Sequence, residues 1–131
     1  MRTQAESVRF RVKRTSPFGN VGLVIPYEIE EINVDGSMDI KTGVFNTTIP
    51  GIYIFDFDAL SYHNCYNHPC LNIHLHKNNR MVEAAQTNEP SFRLGKSFIT
   101  KMLIGDTIKL VLQHHFPSNN LQFTGTLLFE D

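Results

Sequence analysis

Hydrophobic and polar residues alternate with a period of two through most of the chain, and turn-forming residues interrupt them at short intervals. Such alternation places one face of an extended strand against a core and the other toward solvent. No stretch keeps a roughly 3.6-residue apolar stripe long enough for a helix, so helix is expected to be nearly absent. The pattern predicts strands near 7–13, 22–29, 37–49, 51–62, 70–77, 80–86, 96–104, 106–114 and 121–129. Pro17-Phe18-Gly19-Asn20, Asp35-Gly36, Pro50-Gly51, Asn78-Asn79, Gly105-Asp106 and Pro117-Ser118-Asn119-Asn120 separate them. Many short strands at this spacing imply an all-β sandwich or barrel, and no linker, repeat or low-complexity segment divides residues 1–131 into more than one domain.

The faces are legible too. Tyr53, Phe55, Phe57 and Ala59 share one side of their strand, Leu71, Ile73 and Leu75 one side of the next, and Ile108, Leu110 and Leu112 one side of a third. In the last strand Leu121, Phe123, Leu127 and Phe129 alternate with Gln122, Thr124 and Thr126. Gly125 falls on the buried side, where a mid-strand glycine marks the close approach of another backbone.

The chain is 41% hydrophobic with ten Phe and no Trp, which is globular rather than disordered. Twelve Lys and Arg against thirteen Asp and Glu leave a net charge of -1, so no global field draws nucleic acid or an anionic membrane. The basic cluster Arg9, Arg11, Lys13 and Arg14 alternates with Val8, Phe10 and Val12 and reads as a strand with a solvated face. No apolar run reaches the length of about 18 residues that a membrane span requires. Met1-Arg2-Thr3-Gln4-Ala5-Glu6 lacks the apolar core of a signal peptide, so secretion would imply processing of a longer precursor.

Thr42-Gly43-Val44-Phe45 followed by Ile49-Pro50-Gly51-Ile52-Tyr53-Ile54-Phe55 resembles the signature in the middle of C1q domains. There a T-G-x-F turn and strand lead through a P-G turn into Y-x-F. Ile104-Gly105-Asp106-Thr107-Ile108 is similar to the family's G-D turn before an apolar strand. Phe123-Thr124-Gly125-Thr126-Leu127-Leu128-Phe129-Glu130-Asp131 resembles its closing segment, and Val8-Arg9-Phe10 its opening strand. The pieces follow the family's order along nearly the whole chain.

The resemblance implies two five-stranded antiparallel sheets in a ten-stranded tumour-necrosis-factor-like jelly roll, a compact homotrimer, and recognition without catalysis. With the glycine in the closing strand, it points to Phe123, Gly125 and Leu127 as trimer-interface residues. It implies a secreted module that binds microbial-surface, glycan or protein ligands in innate-immune-type pattern recognition. A cytokine-like or synapse-organising receptor ligand, or a His-rich metal-binding matrix protein, is the alternative. Several relatives carry calcium near the trimer axis. Here the loop before the closing strand, Gln113 to Asn120, has no carboxylate, and Thr87 to Ser91 offers only Glu89, so assembly is expected not to need calcium.

Candidate chemistry is sparse. Cys65 and Cys70 enclose four residues between two strands, where a disulfide would close a hairpin loop, free thiols would leave it open, and zinc with His63 and His68 is a further option. His74 and His76 share an outward strand face with Asn72, and Asp56 and Asp58 the outward face of the preceding strand. Paired strands would let imidazole and carboxylate meet, to bind a ligand or metal or to titrate near neutral pH. A solvated strand face is the simpler reading, and no metal or cofactor is assigned. His114 and His115 are further ligand-binding candidates, but being consecutive their side chains diverge, so only one can face a given ligand, and lining a loop is the simpler reading. Asn46-Thr47-Thr48 is an N-glycosylation sequon. No nucleophile elbow, zincin or phosphate-loop motif occurs, so no enzyme is expected.

Overall fold

The structure, a computed structural model, describes residues 3–16, 18–61, 71–87, 92–113 and 119–131. Its strands are β1 (Thr3–Arg14), β2 (Ile29–Asn33), β3 (Met38–Asp39), β4 (Val44–Asn46), β5 (Gly51–Ser61), β6 (Leu71–Lys77), β7 (Arg80–Thr87), β8 (Phe92–Met102), β9 (Thr107–Leu112) and β10 (Asn119–Glu130). Among the described residues the one helical element is a 3-10 turn at Val34–Gly36. A front sheet runs β2-β1-β10-β5-β8 and a back sheet β3-β4-β9-β6-β7. All neighbours are antiparallel, as a two-sheet jelly roll requires.

The inward positions of β5, β6 and β9 are those the alternation assigned, and they are almost fully buried. Phe10 sits at the centre of an aromatic cluster, its ring 5.0 Å from Phe45 and 5.0 Å edge-on to Phe123. Phe55 stacks nearly parallel on Tyr53, 5.7 Å away. Gly125 lies beneath this cluster, where a Cβ would stand 2.2 Å from Phe10 Cε2. The excluded bulk is therefore the ring of the neighbouring strand's own side chain, not a second subunit's backbone. Phe123 and Leu127 likewise point inward and are buried within one chain. The three residues assigned to the trimer interface belong instead to the monomer core.

Phe129 departs from its expected core position. β10 carries an extra residue between Leu127 and Phe129, which pair with Tyr53 and Ile52 in turn. The bulge reverses the faces, and Phe129 emerges on the outer side, 38% exposed.

Strand boundaries also move, three of them for a local reason. Of the segment expected as a strand over 22–29, residues 22–28 form none, because their hydrogen bonds are divided between the sheets. Gly22 and Ile25 donate to Leu112 and Leu110 of β9, whereas Glu28 donates to Lys13 of β1. Pro26, with no N–H, stands at the crossing. The segment 37–49 is split by a turn in which Asp39 Oδ1 accepts from Lys41 N–H and Asp39 O from Gly43 N–H. Gly43 has φ +76°, and a Cβ there would meet Ile25 O at 2.2 Å. β8 begins at Phe92 rather than 96, since Gly95 hides a continuing strand that pairs residue by residue with β5.

The basic cluster on β1 is not a free solvated face. Arg9, at the bulge between Val8 and Phe10, is 6% exposed and pairs with Asp35 at 3.0 Å. Lys13 pairs with Glu31 at 3.2 Å. Arg14 donates to Ser16 O and Pro26 O and lies over the Phe18 ring.

Glu28 ties this end of β1 down by accepting from the backbone N–H groups of Thr15 and Ser16 and from the Ser16 hydroxyl. The Ser16 hydroxyl and these backbone donors hold its carboxyl down at about 2. Because the folded value is depressed, this stabilisation is complete above the ordinary value of 4.5 and is lost as pH falls from there through about 2. Urea midpoints measured across that acid range are expected to fall less steeply for Glu28→Gln than for the wild type. The group is fully exposed, so the difference is small.

Candidate functional site

Two outward faces are available for function. On the back sheet, period-two alternation brings Asn72, His74 and His76 of β6 to the outside in one row. β9 places Val111 beside His74 and Lys109 beside His76, and β7 places Ala84 and Met81 on their other side. The two imidazoles are half-buried and roughly parallel, with centroids 6.3 Å apart. Burial lowers the pKa of both, and the Lys109 charge and His74 lower that of His76 further, so the pair is neutral at pH 7. His76 Nε2 and Asn72 Oδ1 are buried without a hydrogen-bond partner among the described residues.

Asp56 and Asp58 are nowhere near this row. They lie on the outer face of β5, in the front sheet, with the core between them and the histidines. Asp56 accepts a hydrogen bond from the Ser97 hydroxyl, and Asp58 is ion-paired with Arg93. The expected imidazole–carboxylate cluster therefore does not form, because β5 and β6, consecutive in the chain, belong to different sheets. The same fact removes the hairpin assumed around Cys65 and Cys70, since the connection between β5 and β6 crosses from sheet to sheet. The cysteines themselves, with His63, His68, Glu89, His114 and His115, lie outside the described residues.

The front face divides into two zones. Toward one end, Asp58, Arg93, Lys13, Arg14, Thr15 and Gln122 line a polar cleft of about 200 Å³. Toward the other, Ile54 and Ile99 pair across β5 and β8, Ile52 pairs with the bulge-displaced Phe129, and Val8 and Thr126 complete the row through Ile54. Ile99 is 60% exposed. Reasoning from alternation missed this zone, although a signal was present. Ile52-Tyr53-Ile54-Phe55 is a continuous apolar run, the mark of a strand covered on both faces, and it gives way to alternation only at Asp56.

Asn46 and Thr48 of the sequon are exposed at the end of β4. Thr47 between them is buried, its hydroxyl donating to Asp106 O at 2.9 Å. Asp106 in turn accepts from Leu103 N–H and Asn78 Nδ2, and these donors lower its pKa. The glycine–aspartate turn thus joins the end of β4, the β6–β7 turn and the start of β9.

The sequence pattern of the C1q domain matches residues 9–128. A bovine protein, HP-25 homolog 1, is 41% identical over 49 residues, which is 37% of this chain and 23% of that relative, so the chain matches under a quarter of its length. The globular domain of zebrafish complement 1qA protein superposes with a TM-score of 0.75 at 21% identity, covering 93% of this chain and 98% of that one. Murine APRIL at pH 8.5 superposes with a TM-score of 0.67 at 10% identity, covering 94% of this chain and all of that one. At such identities the two structures establish a shared fold. Among the described residues no helix is long and apolar enough to cross a membrane.

Proposed function

The chain belongs to the C1q domain family, and on that premise we propose that it is a homotrimeric, non-enzymatic, extracellular recognition module for glycan, microbial-surface or protein ligands. The observation that carries this reading is the apolar zone of the front sheet. A lone β-sandwich with one solvated face has no reason to present Ile52, Ile54, Ile99 and Phe129 together outside. A closed ring of three copies covers such a zone and leaves the back sheet outward, three times over. Phe123, Gly125 and Leu127 support the trimer only indirectly, by holding the sheet whose outer face is apolar. The exposed sequon at Asn46 fits an extracellular setting.

Three equivalent outward faces convert weak single contacts into avidity. The experiment is a panel of glycans and bacterial surfaces, each offered both as a soluble monovalent ligand and at high density. Much tighter apparent binding to the dense format is expected. Equal dissociation constants in the two formats, or saturable binding to one cell-surface protein with no glycan binding, would replace pattern recognition with a receptor-ligand role. Trimer mass and melting temperature are expected to survive excess EDTA; dissociation reversed by calcium would overturn a calcium-independent assembly.

A further inference from the structure

We propose that His74 and His76 form an open two-imidazole chelate for a late first-row divalent cation, copper(II) in preference to zinc(II), on the outer face of the back sheet. Residues i and i+2 of a strand project from the same face, so the β6 backbone itself sets the spacing of the two rings. A metal about 2.0–2.1 Å from a nitrogen of each imidazole holds the ring centroids roughly 5–6 Å apart. The rings stand 6.3 Å apart at an interplanar angle of 30°, so small side-chain rotations bring them into range.

The chemistry of the surroundings fits. Imidazole binds a metal through the lone pair of an unprotonated ring nitrogen. His76 Nε2 is buried with no hydrogen-bond partner among the described residues, so that nitrogen has no protein hydrogen bond to give up. The Lys109 ammonium is drawn toward the β6–β7 turn by a 2.7 Å hydrogen bond to Asn79 Oδ1, yet its charge still opposes an incoming cation.

No third His, Cys, Asp or Glu joins the pair among the described residues. Water therefore completes the coordination, and the site keeps positions open to an outside ligand. Two nitrogens and water favour copper over nickel and zinc, and calcium, which takes six to eight oxygens, finds no cage here.

The test is calorimetric titration of the EDTA-stripped, dialysed chain with copper(II), zinc(II) or calcium in separate runs. His74→Gln, His76→Gln, Lys109→Gln and a fourfold variant replacing His63, His68, His114 and His115 by Gln are run beside the wild type. One copper per chain is expected to bind at this site, with zinc weaker and calcium absent. Either single histidine variant should weaken it by at least about tenfold, the scale on which even losing a ligand's hydrogen-bond partner acts. The fourfold variant should retain the site, and Lys109→Gln should tighten it. Unchanged affinity in His74→Gln and His76→Gln, or no saturable copper binding, would overturn the proposal. Zinc added to the folded wild type gives an independent reading that needs no variant to fold. It should shift two histidine ring resonances assigned to 74 and 76, and shifts confined to the other four histidines would refute the site.

Discussion

Phe10→Ala is expected to lower stability by roughly 3–5 kcal/mol, the usual cost of removing a buried phenylalanine. A domain's whole margin is about 5–15 kcal/mol, so the variant stands near the limit of folding. Phe10 is fully buried and touches the rings of Phe45 and Phe123, so its loss leaves a cavity between the sheets that fixed strands cannot close. Gly125→Ala in the wild-type background should cost about 1–3 kcal/mol through overpacking, because its Cβ falls 2.2 Å from the same ring. In the Phe10→Ala background that clash disappears, and the added methyl group enters the vacated space. The double variant should therefore be more stable than the sum of the single effects predicts. Gly125 is not among the glycines with positive φ, so room rather than backbone freedom is what the position demands. A Gly125→Ala cost that is the same in both backgrounds would contradict this account. Denaturant midpoints must be compared at one chain concentration, since the proposed trimer would add to apparent stability.

Ile99→Asp is expected to convert a trimer of about 45 kDa, three chains of 15.0 kDa, into a folded monomer. A carboxylate placed in an apolar contact between subunits loses its hydration without gaining a partner, and three copies meet that cost at once. Within one chain Ile99 is 60% exposed and contributes little to the core, so the strand signature in circular dichroism should persist. Met81→Asp is the matched control, an exposed aliphatic residue on β7 of the back sheet, and its sedimentation mass should not change. A trimer that survives Ile99→Asp, or dissociates equally with Met81→Asp, would locate the subunit contact elsewhere and remove the basis for three outward back sheets.

The inward residues of β5, β6 and β9 were legible because each of these strands alternates strictly along at least part of its length, and burying one face fixes the register. The ordered turn motifs added the sheet count and the jelly-roll order. The sequence alone therefore determined the fold class, most of the core, and the outward row Asn72, His74 and His76. Other features were decided only by the tertiary structure. Whether His74 meets Asp56 depends on which sheet each strand joins, and alternation is blind to that, since inward residues look the same in either sheet. The outward turn of Phe129 depends on one extra residue in β10, which changes no residue's hydrophobicity but reverses its direction. Gly125 illustrates the same division. Its place on the buried face was set by counting along the strand, but what fills the space above it was set by a residue 115 positions away, brought there when β1 paired with β10. Side-chain direction is a local property of the backbone, whereas the identity of the facing neighbour is a property of the assembled sheets.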